Sequence, residues 1–135
     1  MSKDWVKDIH DMQTKYQTRE WVDQNADKHN QFLNFRADFL QEELDETKRA
    51  IMAGDPEEVV DGLIDLCVVA IGTLDAFGID AHKAWDEVLK ANMAKEVGVK
   101  ESRPNPLGMP DLIKPEGWKA PDHRGNYGDL PNDIR

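Results

Sequence analysis

Residues 52–62, MAGDPEEVVDG, constrain this chain more than any other stretch. Gly54 is a helix stop. Asp55 is a ready N-cap, Pro56 favours the first helical position, and Glu58 supplies the acid of a capping box. Apolar residues recur at helical spacing on both sides. Upstream, Leu33, Ala37, Leu40, Leu44 and Ile51 form one stripe; downstream runs VVDGLIDLCVVAIGTLDAF. The pattern predicts two helices, at about 30–53 and 56–77, joined by a tight turn and therefore antiparallel. Gly78 caps the second at its C-terminus.

The remaining elements are shorter. Trp5, Ile9, Met12 and Tyr16 predict a first helix at about 3–17. Residues 18–31 do not decide between helix and loop. Asp80 caps a last helix at about 81–96, and Gly98 follows it. No sustained period-two alternation and no hairpin dipeptide appears, so strands are not expected. The fold class is all-α, a four- to five-helix bundle.

A chain of 135 residues with 39% hydrophobic and 33% charged content builds only a thin core. Completion by oligomerisation, as a homodimer or homotetramer, is expected. Six of the seven prolines lie beyond residue 103. Residues 1–96 therefore read as the helical domain and 97–135 as an extended, Pro-rich C-terminal tail. Leu107, Met109, Leu112, Ile113, Trp118 and Tyr127 make that tail apolar enough to pack on the domain or a neighbouring subunit.

The net charge of −10 is unevenly placed. Residues 1–96 carry 11 Lys+Arg against 21 Asp+Glu, and 97–135 carry 6 of each. An acidic domain does not suit a phosphate backbone, so no nucleic-acid partner is expected. It does suit divalent cations. The longest apolar run, residues 66–72, is too short to span a membrane, and the N-terminus shows no apolar signal region, which points to the cytoplasm. The lone Cys67, within LIDLCVVAI, reads as a packed thiol.

The acids are concentrated. Glu42, Glu43, Asp45 and Glu46 crowd little more than one helical turn, where like charges cost stability. On the next helix Asp61 and Asp65, four residues apart, interrupt an otherwise apolar surface. They point to solvent, pair with Arg36 or Lys95, or face the first set of acids. In the last case four or five carboxylates converge, an oxygen-only cluster suited to Mg²⁺ or Mn²⁺. No histidine lies three residues after a glutamate, so a di-iron bundle is not supported. Zinc lacks its His/Cys ligands.

The arrangement Glu42-Glu43-Leu44-Asp45-Glu46, followed on the next helix by an acidic pair ending in Asp65, resembles the all-α nucleoside triphosphate pyrophosphatases. This superfamily includes MazG and phosphoribosyl-ATP pyrophosphohydrolase. Its second motif usually reads E-x-x-D; here Gly62 stands in the Glu position, and Asp61 gives the D-x-x-x-D spacing of phage-type MazG-like members. KANMAKE resembles the superfamily's N-M-x-K segment, at Asn92 and Lys95. LIKPEGWKAPD resembles a segment that ends many such proteins. The resemblance covers roughly residues 28–122.

This resemblance implies hydrolysis of a (deoxy)nucleoside triphosphate to monophosphate and pyrophosphate, in nucleotide-pool cleaning or shaping. It implies two or three Mg²⁺ per site, with Mn²⁺ able to substitute. Glu43, Glu46 and Asp65, with Asp61, are then the metal ligands. Glu42 or Glu43 is the candidate to orient or deprotonate the attacking water. Lys95 and Asn92 would face phosphates or sugar, although Lys95 also reads as a cation favoured at a helix C-terminus. Arg36 either holds a phosphate or pairs with an acid. Trp21, His29, Phe32, Asn34 and Phe35 are candidates for a base pocket. Core packing competes for Trp21 and Phe32, and a cap or surface role competes for His29 and Asn34. Trp85 and Trp118 read as packing residues, and Lys119 as a residue able to close over the site. The alternatives are a non-catalytic, metal-dependent helical dimer and phosphoribosyl-ATP pyrophosphohydrolase itself.

Overall fold

The computed structural model describes residues 3–100 and 106–135. Its elements in chain order are α1 (Trp5–Lys15), α2 (Thr18–Gln24), a 3₁₀ turn (Ala26–Lys28), α3 (His29–Ala53), α4 (Pro56–Ala76), α5 (Ala81–Met93), β1 (Glu96–Gly98) and β2 (Asp111–Ile113). The fold is all-α apart from one small two-stranded ladder. No helix among the described residues is long and apolar enough to cross a membrane. The chain forms two compact units: the residues up to Ala81 together with Tyr127–Arg135, and His82–Asn126.

In the first unit α3 and α4 form the expected hairpin. Gly54 adopts φ +67° and ends α3, and the Asp55 side chain accepts from the Glu58 N–H at 3.2 Å. α1 is capped in the same way, Asp4 accepting from the Lys7 N–H at 3.0 Å. The undecided residues 18–31 become α2, the 3₁₀ turn and the first turn of α3.

Helices α3 and α4 approach closely because α4 turns small residues toward its neighbours. Gly62, Val69, Gly72 and Ala76 are its buried positions. A Cβ at Gly62 would collide with the Thr47 hydroxyl, and one at Gly72 would reach Gln13 Oε1 at 2.6 Å. This corrects the expected core. The buried line of α3 runs through His29, Thr47 and Ala50, whereas Leu44 and Ile51 of the apolar stripe are exposed, Ile51 by 61%. On α4 the larger apolar residues Val60, Leu63 and Ile64 face outward. Close helix packing selects small side chains at the contact and displaces branched ones.

One end of this unit is closed by Val22, Ala76 and Phe77, fully buried, with Phe32, Leu33, Ile79 and Leu130 packed around them. Polar side chains knit the elements. Gln13, buried on α1, donates to Asp75 Oδ2 at 2.9 Å and accepts from Arg36 Nη2 at 3.2 Å. Residues 127–135 return to the start of α3. Asn30 Nδ2 donates to the Asp133 carbonyl at 2.9 Å, Asn34 Nδ2 donates to the Arg135 carbonyl at 2.9 Å, and Asp129 N–H donates to the Phe77 carbonyl at 2.7 Å.

The second unit contains α5 and the ladder. β1 and β2 pair antiparallel, with Glu96 opposite Ile113 and Gly98 opposite Asp111. This corrects two expectations: strands are present, and α5 ends at Met93 rather than near 96. Three-residue strands are too short to show alternation. A Cβ at Gly98 in β1 would meet Ile113 Cδ1 at 2.7 Å, so a larger residue there would push the end of that side chain aside. Trp118 packs as expected, its indole N–H donating to the Ala91 carbonyl at 2.7 Å. Trp85 does not; it is 68% exposed.

Candidate active site

The hairpin sets the geometry of the acids. Thr47 lies against Gly62, Arg36 beside Gly72, and Phe32 against Phe77. Residue numbers on α3 and α4 thus run in opposite directions, with sums near 108. The same register places Glu46 opposite Asp61, next to the tight contact, and Glu43 opposite Asp65, about one turn from it.

Electrostatics show that these carboxylates feel one another. The Glu43 carboxyl is raised above its ordinary value by burial first, then by Glu46, Asp65, Glu42 and Asp61. Asp65 is raised by burial, by Asp61 and Glu46, and by a hydrogen bond with Asp61. None of the five carboxylates has an ion pair with Lys, Arg or His among the described residues. Arg36 does not neutralise them. It is half-buried, lies over the Phe32 ring at 5.1 Å and bonds Gln13, and burial lowers its pKa. The region is therefore a cluster of like charges without a counter-ion from the protein.

The donor set is oxygen only and drawn from two facing helices, which fits a hard divalent cation. Among the described residues no three His, Cys, Asp or Glu side chains stand, as they lie, in position to hold a metal ion.

Further along α3 the aromatics gather. Trp21, Lys28, Gln31, Phe32 and Phe35 line a pocket of about 460 Å³, large enough for part of a nucleotide. Trp21 and Phe32 stand 5.6 Å apart at 37°. Phe35 lies seven residues before Glu42, so pocket and acids share one side of α3 about 10 Å apart along the axis. The sequence identified Trp21, Phe32 and Phe35 but missed Lys28 and Gln31, which carry no motif and read as ordinary surface.

His29 and Asn34 take other positions. The two ring nitrogens of His29 reach backbone carbonyl oxygens, Nε2 that of Val22 at 2.7 Å and Nδ1 that of Asp129 at 3.1 Å. The ring stands edge-on to Phe77. Asn34 holds the carbonyls of Asn30 and Arg135. Neither lines the aromatic pocket. In the second unit Asn92 is exposed near the end of α5, and Lys95 lies 5.4 Å from the Trp118 ring centroid. Lys119 is exposed, and Cys67 lines a smaller apolar crevice between α1 and α4 with Trp5 and Ile64.

A family model described as phosphoribosyl-ATP pyrophosphohydrolase matches residues 7–92. The match spans α1 through nearly all of α5 and contains every acid of the cluster; Lys95 and the tail lie beyond it. No curated protein and no solved structure matches the chain. With well over half of its length inside that match, and with the paired acids of α3 and α4 at its centre, the chain belongs to the phosphoribosyl-ATP pyrophosphohydrolase family, within the MazG-like all-α pyrophosphatases, whose members act on nucleotide-type substrates.

Proposed function

We propose that the protein hydrolyses a (deoxy)nucleoside triphosphate to the monophosphate and pyrophosphate, with Mg²⁺ or Mn²⁺ as cofactor. The observation that carries this reading is the facing set Glu43, Glu46, Asp61 and Asp65, mutually repelling and without a protein counter-ion. A triphosphate carries about four negative charges and would be repelled by bare carboxylates, so cations must mediate. Glu43, Glu46, Asp65 and Asp61 would hold two or three of them. When bound, such ions polarise a phosphoryl oxygen and lower the pKa of a coordinated water.

The chain's own groups supply positioning. Glu42 or Glu43 orients the attacking water and takes its proton; the raised pKa of Glu43 moves it toward the range useful for a base. The water oxygen bonds to the α- or the β-phosphorus, the bond from that phosphorus to the bridging oxygen breaks, and the bridging oxygen leaves on the other product, giving monophosphate and pyrophosphate. Trp21, Phe32 and Phe35 offer faces for the base, while Gln31 supplies an amide and Lys28 an ammonium at its edge. By the resemblance to this superfamily, Asn92 and Lys95 would face sugar or phosphate, and Arg36 a phosphate. His29 and Asn34 act here by holding the pocket's walls, since their polar atoms already bond backbone carbonyls.

The exposed Val60, Leu63 and Ile64 on α4, with Ile51 and Met52 on α3, support assembly as a homodimer or homotetramer in which a second copy covers them. The setting proposed is the cytoplasm. A second substrate, phosphoribosyl-ATP, is favoured by the family match itself. Pyrophosphate release from each common ribo- and deoxyribonucleoside triphosphate, and from phosphoribosyl-ATP, separates the two. Release restricted to phosphoribosyl-ATP would replace the triphosphate reading.

A further inference from the structure

The β1–β2 ladder places two lysines opposite each other. Glu96 pairs with Ile113, so Lys95 and Lys114 stand one step beyond, directly across the end of the hairpin. Cross-strand neighbours at such positions project to the same side, and like charges there are unfavourable. Both ammoniums nevertheless converge on one ring. Lys95 Nζ lies 5.4 Å and Lys114 Nζ 4.9 Å from the Trp118 centroid.

The sequence KPEGW explains how. Gly117 at φ +78° lets the chain reverse, and the Trp118 N–H donates to the Pro115 carbonyl at 3.1 Å. The turn brings Trp118 back beneath Lys114. The indole N–H is spent on Ala91 at 2.7 Å, which holds the ring in place. Neither lysine has a carboxylate partner among the described residues. Backbone register and an anchored ring thus bring both cations to one indole, which offers them its π-system. Neither ammonium is spent on an ion pair among the described residues, so the charge is available to an anion from solution.

We infer that Lys95, Lys114 and Trp118 form a two-ammonium site for a phosphate or pyrophosphate group. This deepens the phosphate-facing role proposed above for Lys95 and adds Lys114, which lies outside the family match. The compact oxyanion presents several acceptor oxygens, and each ammonium presents three donors. The group comes either from a bound nucleotide or from free pyrophosphate.

The test titrates metal-free inorganic pyrophosphate into the full chain and follows the Trp118 indole N–H by NMR. The acids, lacking a cation, repel the probe, so the lysine site is read alone. A saturable shift is expected in the wild type. Lys114→Met, which keeps the aliphatic stem, should raise the half-saturating concentration about tenfold, and Lys114→Arg should stay near the wild type. No saturable shift in the wild type, or the same titration in Lys114→Met, overturns the inference. Nucleotide turnover then identifies the source: a raised KM in Lys114→Met means the nucleotide occupies the site, and an unchanged KM means free pyrophosphate does. If the wild type hydrolyses no nucleotide, the proposed activity fails, and the pyrophosphate titration still decides the inference.

Discussion

Gly62 on α4 lies so close to Thr47 on α3 that any side chain at position 62 would collide with the threonine hydroxyl. Thr47 cannot swing away cheaply, because that hydroxyl donates to the Glu43 carbonyl at 2.8 Å. The relationship is a physical reason for a glycine at the position where the resemblance to the superfamily leads one to expect a glutamate. Where a glutamate is usual, this chain brings two helices into contact. Asp61 and Asp65 flank the contact and face Glu46 and Glu43.

Gly62→Ala should destabilise the protein by about 1–3 kcal/mol through overpacking, even though alanine is the better helix former by about 1 kcal/mol. In a Thr47→Ala background the loss should shrink. A double-mutant cycle by urea unfolding measures the coupling. Equal losses in both backgrounds would show that the two residues do not limit the helix approach.

Stability should depend on pH with a definite sign. Glu43 and Asp65 hold their protons to higher pH in the folded chain than in the unfolded one. Between the ordinary carboxylate value of about 4 and the raised folded values, the folded state binds more protons, so stability falls as pH rises. Above that window it levels off. Thermal unfolding across pH should show this decline, and Mg²⁺ at neutral pH should restore the loss. Asp65→Asn should flatten the decline and reduce the Mg²⁺ effect. A profile that rises through the same range would contradict the mutual repulsion.

Trp21→Ala should raise KM about tenfold, the scale of one lost stacking contact. Trp21 is 42% exposed, so the fold should survive. Steady-state kinetics with the preferred nucleotide, beside a circular-dichroism melt, separate the two effects. A melt that collapses with KM unchanged would make the ring a packing residue.

His29→Ala should behave in the opposite way. It removes a buried ring that reaches the carbonyls of Val22 and Asp129 and opens a cavity beside Phe77. A loss of about 2–4 kcal/mol is expected by urea unfolding. A loss smaller than that of Asn34→Ala would contradict the role given to His29.

The helix hairpin was legible because its signals are local: Gly54, Asp55, Pro56 and Glu58 are adjacent in sequence and act on adjacent backbone. The acids were legible because charge in an apolar helix stands out. The roles of His29 and Asn34 were not, since their partners Asp129 and Arg135 lie about a hundred residues away. Lys28 and Gln31 became pocket residues only through the position of Trp21. The buried positions of α3 did not stand out because tight packing against Gly62 prefers Thr47 to leucine, a preference that depends on the neighbouring helix. The ladder of β1 and β2 was too short for a periodic pattern.

The central claim is that the facing carboxylates of α3 and α4 are a metal-dependent pyrophosphohydrolase site. The most direct measurement is pyrophosphate release from the nucleotide panel with Mg²⁺, with EDTA, and with the Asp65→Asn protein. The account predicts release that requires the metal and falls by at least about a hundredfold in Asp65→Asn, which should remain folded. Release that persists with EDTA or in Asp65→Asn, or none from folded wild-type protein on any nucleotide, would contradict it.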